Sequence, residues 1–548
     1  MKKFLLTIIF LLAFILRIYK LDQFPLGLTW DEAALGYNAY SILKTGKDEY
    51  GKFLPLIFKS FGDYKPGLYV YLTVPSAALL GLNELAVRIP SAMAGTFLVI
   101  AMFLLIKQFL SWPQAALGAF LMAINPWLIH FSRGAWEANL ALFETILGVY
   151  LFVKFAESKK FYQGFLASAV LGLTFLTYQG AKVFTSLIVF GLIIFWFKQL
   201  SGLRKKQKFL VGLPVFLLFI FINLGILTGR TSGRLKVMSI FSYRRPAGEI
   251  ELIKNEGGPK EKWFFPVFHS EVLSFTKGIL GRYFNHFSAR FLFFEGDWSN
   301  KRHSVPYMGV MEVVSIPFLL LGLATLFAKK RNNLEKFFLY WLLIAPLPAA
   351  ITRDSIQAIR SLPMAIPLIF ITSTGIFAFF DWFGKRKVKL LPVVGLVIVY
   401  VFNLVYYLDL YYVHYPFNSA KDWLFGYRQA VKFVEENQKN YQKIIFTQKY
   451  GQPYIFWLFY TRYPPLNYQR QAFLKESPYG DVGEVERLDN IEFRKIYWPA
   501  DRANKNSLFV GDEFDLPLHD IVGQQGITLL KEIKFLNGNT AFRIVETK

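Results

Sequence analysis

The chain contains no cysteine and six histidines among its 548 residues. Without thiols there is no disulfide staple, no thiolate nucleophile and no cysteine metal ligand, and the redox compartment leaves no mark on the sequence. The histidines are scattered and offer no clean metal-ligand cluster. Acids are scarce as well: 38 Asp and Glu stand against 62 Lys and Arg, giving a net charge of +24 and a pI near 9.7. Apolar residues are abundant, at 54% hydrophobic and 18% aromatic with a mean hydropathy of +0.34. Those proportions exclude an ordinary soluble enzyme of this length and describe a polytopic α-helical membrane protein. The excess basicity then reads as loop marking and attraction to anionic lipid, with no nucleic-acid partner implied.

Apolar runs of near-spanning length fall at 4–19, 89–106, 114–131, 138–156, 161–178, 183–198, 209–228, 309–328, 336–351, 359–380 and 390–411. The first follows Lys2-Lys3 as a signal peptide would. No small-residue cleavage site follows it, and Arg17, Tyr19 and Lys20 close it, so an uncleaved first helix is expected. Basic clusters at Lys2-Lys3, Lys159-Lys160, Arg204-Lys205-Lys206, Lys329-Lys330-Arg331 and Lys385-Arg386-Lys387 mark the cytoplasmic side. An even number of crossings must then separate each pair. Counting the apolar stretch 66–82 breaks that parity and omitting it restores it, so 66–82 is expected to lie in the interface without crossing. About eleven crossings follow, with the N-terminus inside and the C-terminus outside. The topology gathers the loop 20–88, the turns 130–137, 178–182 and 352–359, the loop 229–308 and everything after 411 on the outer face.

Two domains are expected: a transmembrane part, 1–411, and an extracytoplasmic soluble domain, 412–548. In the latter, Asp422–Asn437 reads as an amphipathic helix, Lys443–Thr447 and Leu508–Gly511 as strands, and Gln452–Thr461 as a helix. Leu529–Phe535 and Thr540–Val545 flank Asn537-Gly538, a strong hairpin signal. A small α/β or α+β fold fits.

Several polar groups meet on the outer face. Asp31 and Glu32 follow Thr29-Trp30 just past the first span; as a helix start they would complement the N-terminal dipole, and as free carboxylates they could serve as base. Lys65 in Tyr64-Lys65-Pro66-Gly67 is a snorkelling lysine or a phosphate contact. Arg133 and Glu137, four residues apart, are a helix-end ion pair or a working pair. Tyr178 and Lys182 share another outer turn, as interfacial anchors or phosphate contacts, and Arg353 and Arg360 flank a third, where basic residues are less expected.

The ordered series Trp30-Asp31-Glu32, Tyr64-Lys65-Pro66-Gly67, Ala86-Val87-Arg88-Ile89-Pro90-Ser91-Ala92 and Arg360-Ser361-Leu362-Pro363 resembles that of GT-C membrane glycosyltransferases. The resemblance is to the branch of protein O-mannosyltransferases and the lipid A aminoarabinose transferase (glycosyltransferase family 39-like), and it covers about the first 400 residues. Gly67 departs from it, since the family often has proline there. The resemblance implies a GT-C fold with juxtamembrane helices in the first outer loop. It also implies an inverting enzyme of the plasma membrane that moves one sugar, hexosyl or pentosyl, from a polyprenyl-phosphate carrier to a protein, lipid or glycan acceptor outside. Asp31 takes the place of the family's first-loop acid, with Glu32 beside it and Glu137 as a supporting acid. Lys65 and Arg360 would meet the departing phosphate, with Arg353, Lys182 and Arg133 as further candidates. A donor without nucleotide diphosphate does not require a cofactor, and a divalent metal is left open. The competing reading is a polytopic transporter or lipid flippase, which would place its ionisable residues mid-span.

Overall fold

The computed structural model describes residues 2–227, 239–242, 245–383, 390–471, 473–476 and 483–548. The cluster Lys385-Arg386-Lys387 and the first part of the predicted outer loop, 229–238, lie outside the described residues. Helix α1 (Lys2–Ile18) is followed by an excursion made of α2 (Trp30–Thr45), the hairpin β1 (Ile57–Ser60) and β2 (Asp63–Pro66), and α3 (Leu68–Leu80). The bundle continues with α4 (Glu84–Lys107), α5 (Trp112–Ile124), α6 (Pro126–Ser132), α7 (Glu137–Ser158), α8 (Phe161–Thr177), α9 (Ala181–Phe195), α10 (Phe197–Ser201) and α11 (Lys205–Leu227). Later helices cover Ser315–Ala328, Asn333–Ile344, Ala365–Phe383 and Leu390–Asp409.

Among the described residues, four helices are long and apolar enough to cross a membrane: Glu84–Lys107, Glu137–Ser158, Leu362–Trp382 and Leu391–Ser419. The pair α5–α6 makes a fifth if taken as one span, but it bends by 57°. The sequence reads 114–131 as a single run, and the structure corrects this. Pro126 has no N–H to continue the ladder and holds Asn125 in extended backbone, and the Asn125 side chain caps α6 through the Leu128 N–H at 3.2 Å. The stretch 66–82 becomes α3, whose 13 residues reach ~20 Å, too short for a ~30 Å hydrocarbon core.

The C-terminal part is α/β. A six-stranded mixed sheet runs in the order β6-β7-β3-β8-β10-β9, built from β3 (Lys443–Phe446), β6 (Arg487–Leu488), β7 (Ile491–Phe493), β8 (Ser507–Gly511), β9 (Ile527–Lys534) and β10 (Thr540–Thr547). Strand β3 is parallel to both β7 and β8, and β9 pairs antiparallel with β10 across the Asn537-Gly538 turn, where Gly538 takes φ +86°. The short pair β4 (Leu474–Glu476) and β5 (Gly483–Val485) stands apart. The predicted amphipathic helix begins later than expected, at Tyr427, after the left-handed Gly426.

Two apolar cores organise the molecule. One fills the bundle. The other runs without a break from Leu28, Tyr37, Phe58 and Tyr69 of the excursion between α1 and α4 to Val431, Phe446, Tyr454 and Phe542 of the C-terminal part. Composition therefore changes near residue 411, but packing does not follow the same division. Gly451 shows how closely the parts meet: it adopts φ +105°, and a Cβ there would stand 2.6 Å from the Trp30 ring.

Candidate active site

Thr29 decides where α2 begins. Its hydroxyl accepts from the Glu32 N–H at 3.2 Å, and the Glu32 carboxylate accepts from the Thr29 N–H at 3.1 Å, a reciprocal capping box. Asp31 and Glu32 are thereby fixed side by side in the first turn, and there they part. Glu32 turns inward, with Oε1 accepting from Arg88 Nε at 3.1 Å and from the Ala135 N–H at 2.9 Å. Arg88 is fully buried, and its remaining donors go to the carbonyls of Leu21, Pro25 and Gly27. Glu32 thus ties α2 to α4 and to the chain entering α7. The Glu32 carboxylate is buried and engaged by three donors of the protein itself, from Thr29, Arg88 and Ala135.

Asp31 faces the other way, its side chain 41% exposed and paired with Lys65, which projects from β2 and is 13% exposed. Asp31, Lys65, Asn38, Ser60 and Glu137 line one cavity of ≈ 20 Å³, room for little more than a water molecule. A second cavity of the same size lies along the next turns of α7, between Ala138, Thr145, Tyr178 and Arg360. Arg360 donates to Thr352 Oγ1 at 2.8 Å and to Asp354 at 3.4 Å, and Arg353 approaches the same Asp354 at 3.8 Å. The turn carrying Tyr178 and Lys182 leans on the β-hairpin: Gln179 Nε2 donates to the Tyr64 carbonyl at 2.7 Å, and Lys182 sits in the field of Asp63. Asp31, Lys65 and Glu137 are thus brought together, with Arg360, Arg353 and Lys182 on adjoining walls.

Arg133 is not part of this group. It is fully buried and donates to the carbonyls of Leu16 at 3.0 Å, Tyr19 at 2.7 Å and Phe24 at 3.4 Å, with its guanidinium over the rings of Tyr411 and Tyr412. It caps the end of α1 through its two terminal nitrogens, while its Nε is buried without a hydrogen-bond partner.

Sequence reasoning missed Glu49. Its carboxyl is fully buried at the back of the first cavity, where Oε1 accepts from Asn38 Nδ2 at 3.0 Å. Burial pushes this acid up to about 8; the Asp48 charge adds to the rise, while the Asn38 hydrogen bond and the Lys65 charge oppose it. The signal lies in the sequence as Asp48-Glu49, a second acidic pair in the same loop. Among the described residues no group of three His, Asp or Glu is arranged to hold a metal.

The model of the PMT family, described as dolichyl-phosphate-mannose-protein mannosyltransferase, matches residues 7–229. Residues 7–229 are thus similar to a PMT domain. ArnT from Cupriavidus metallidurans superimposes with a TM-score of 0.52 at 11% identity, over 98% of this chain and 97% of that one; the same protein bound to undecaprenyl phosphate gives 0.51. The archaeal oligosaccharyltransferase AglB from Archaeoglobus fulgidus, in complex with an inhibitory peptide and a dolichol-phosphate, gives 0.50 at 13% identity over 84% of this chain. The chain spans 63% of the AglB length. No curated protein matches the sequence. The PMT match contains most of α1, the capping box, the hairpin with Lys65 and the start of α7, so all of the first cavity lies within it.

Proposed function

We propose that this protein is an inverting glycosyltransferase that moves one sugar from a polyprenyl-phosphate carrier to a hydroxyl or amine acceptor on the outer face of the membrane. The observation that carries this reading is the Asp31–Lys65 pair, an acid and a cation sharing a cavity at one end of the bundle inside the PMT match. The undecaprenyl phosphate held by ArnT and the dolichol-phosphate held by AglB support a polyprenyl-phosphate donor. The clustering of charges at one end of the bundle, rather than mid-span, supports a transferase over a transporter. About eleven crossings remain our reading of the topology, with the site and the C-terminal domain outside a plasma membrane.

In the step we propose, Asp31 takes the acceptor proton as the acceptor oxygen or nitrogen bonds to the anomeric carbon. The bond from that carbon to the phosphate oxygen breaks, and the polyprenyl phosphate leaves with the electron pair. A single displacement inverts the anomeric centre. Lys65 and Arg360 stabilise the charge growing on the phosphate, with Lys182 and Arg353 nearby, and Glu137 orients the acceptor. In the resting arrangement Lys65 neutralises Asp31 and the cavity is nearly filled. An incoming phosphate draws Lys65 away, and an acid that loses its cation becomes a better base. The acceptor is a protein, lipid or cell-wall glycan. Asp31→Asn is expected to lower turnover by about 10²–10⁴-fold, with thermal unfolding unchanged and donor binding retained or tightened, because Lys65 is released from its ion pair. Retained turnover in that variant, measured with membrane-extracted polyprenyl-phosphate sugar, would remove Asp31 from the reaction.

A further inference from the structure

The wall behind the first cavity is unusual in what it leaves unbonded. Glu49 is wholly buried, and its Oε2 has no hydrogen-bond partner. The hydroxyls of Tyr50, Tyr454 and Tyr468 and the Ser60 Oγ are likewise buried without a hydrogen bond of normal geometry. Asn38 connects this interior to the cavity. It lines the cavity, and its amide holds Glu49 twice: Nδ2 donates to Oε1 and Oδ1 accepts from the Glu49 N–H, both at 3.0 Å. Lys65 is the cation whose charge acts on Glu49, and its ion pair is with Asp31. The lysine is therefore paired with one acid, Asp31, and lies within the electrostatic reach of a second, Glu49.

We propose that Glu49 is a positioning residue that decides where the Lys65 charge goes. The proposal rests on the reading that Lys65 meets the donor phosphate. A neutral Glu49 leaves the lysine to Asp31 and then to phosphate. An ionised Glu49 claims it, and adds a negative charge behind the site that repels the phosphate. Burial favours the neutral acid, with its titration moved up to about 8. The groups facing Glu49 are Asp48 on its own loop, Asn38 and Tyr37 on α2, Lys65 on β2, and Tyr50, Tyr454 and Tyr468. Burial raises all four tyrosines, so they stay neutral through this range, and Lys65 supplies the nearby positive charge. The sign follows: donor binding is strongest below pH 8 and weakens above it.

The experiment titrates farnesyl phosphate against the full-length protein in detergent between pH 6.5 and 9, following tryptophan fluorescence, for wild type, Glu49→Gln, Asn38→Ala and Lys65→Ala. The amide of Glu49→Gln keeps an acceptor for Asn38 and cannot ionise. Wild type and Glu49→Gln should agree within about twofold at pH 6.5, and wild type should fall behind by about fivefold at pH 9, as one pK unit of coupling gives for an acid titrating near 8. Phosphate ionisation is common to both and cancels. Asn38→Ala removes a bond that favours the ionised acid, so its alkaline loss should move to higher pH. This also serves if Glu49→Gln does not fold. Parallel profiles for wild type and Glu49→Gln, or an unmoved limb in Asn38→Ala, overturn the proposal. If Lys65→Ala binds farnesyl phosphate as wild type does, it is the assignment of Lys65 to the phosphate that fails.

Discussion

Helix α7 begins at Glu137, beside Asp31 and Lys65, in a cavity of ≈ 20 Å³ with charged walls. Further along the same helix, Phe152 faces a cavity of ≈ 320 Å³ shared with Leu171, Leu192, Phe197 and Val215, where Lys208 is the one charged wall residue among those described. The cavity at Phe152 is many times larger and has almost no chemistry; the one at Glu137 has chemistry and almost no volume. If the proposed site is the reacting centre, size is a poor guide to it here. A site that transfers charged groups needs poised acids and cations near water, and in its resting state those groups can close on each other, as Asp31 and Lys65 do. An apolar gap among helices needs no such groups, because hydrocarbon fills it without loss.

The comparison is broken most severely by removing what holds the Glu137 end in place. Arg88→Ala should destabilise the protein by about 3–5 kcal/mol, because Glu32 would be left buried and unpaired. Thermal unfolding in detergent should show an early transition, and transfer should be lost with the fold. An Arg88→Ala protein that unfolds with wild type would mean that the Glu32–Arg88 bond is not what anchors α2.

Arg360→Ala comes next and should separate binding from folding. Arg360 is partly exposed and held by Thr352 and Asp354, so its loss leaves no buried charge. Transition-state stabilisation should fall by about 2–4 kcal/mol, seen as a drop in kcat/KM with unfolding unchanged. Unaltered kcat/KM would move the phosphate contact to Lys182 or Arg353.

These two arginines also show what can be read from sequence. Periodicity and basic clusters locate the apolar runs, and Asn537-Gly538 marks its hairpin, because those signals are local. Asp31 and Lys65 are identified through an ordered motif series, and the fold brings them together across 34 residues. The surroundings of Glu32 and Arg133 are not legible in the sequence, for a shared reason. What removes them from the cavity is a set of carbonyls and amides supplied by distant segments: Ala135 for Glu32, and Leu16, Tyr19 and Phe24 for Arg133. Glu49 escapes notice because its burial depends on Tyr454 and Tyr468, which belong to the other end of the chain. The short strands β4 to β7 leave no mark of their own, since two or three residues become strand by virtue of their partners.

The smallest expected effect tests the Phe152 end. Gly212 lies on α11, lines the large cavity, and has nothing within 4 Å of where a Cβ would sit. Gly212→Leu therefore adds a side chain without a clash and directs apolar atoms toward space that holds none of the reacting groups. Glycine inside a helix costs roughly 0.5–1 kcal/mol relative to alanine, so the variant should be as stable as wild type or slightly more so. Its transfer rate should stay within about twofold, because α7 carries the two cavities at different turns and their walls have no residue in common. Transfer assays and thermal unfolding on one preparation decide the matter. A large loss of transfer with stability intact would show that the large cavity serves the reaction, for instance by holding part of the lipid carrier, and the contrast between the two ends would then be one of division of labour within a single substrate path.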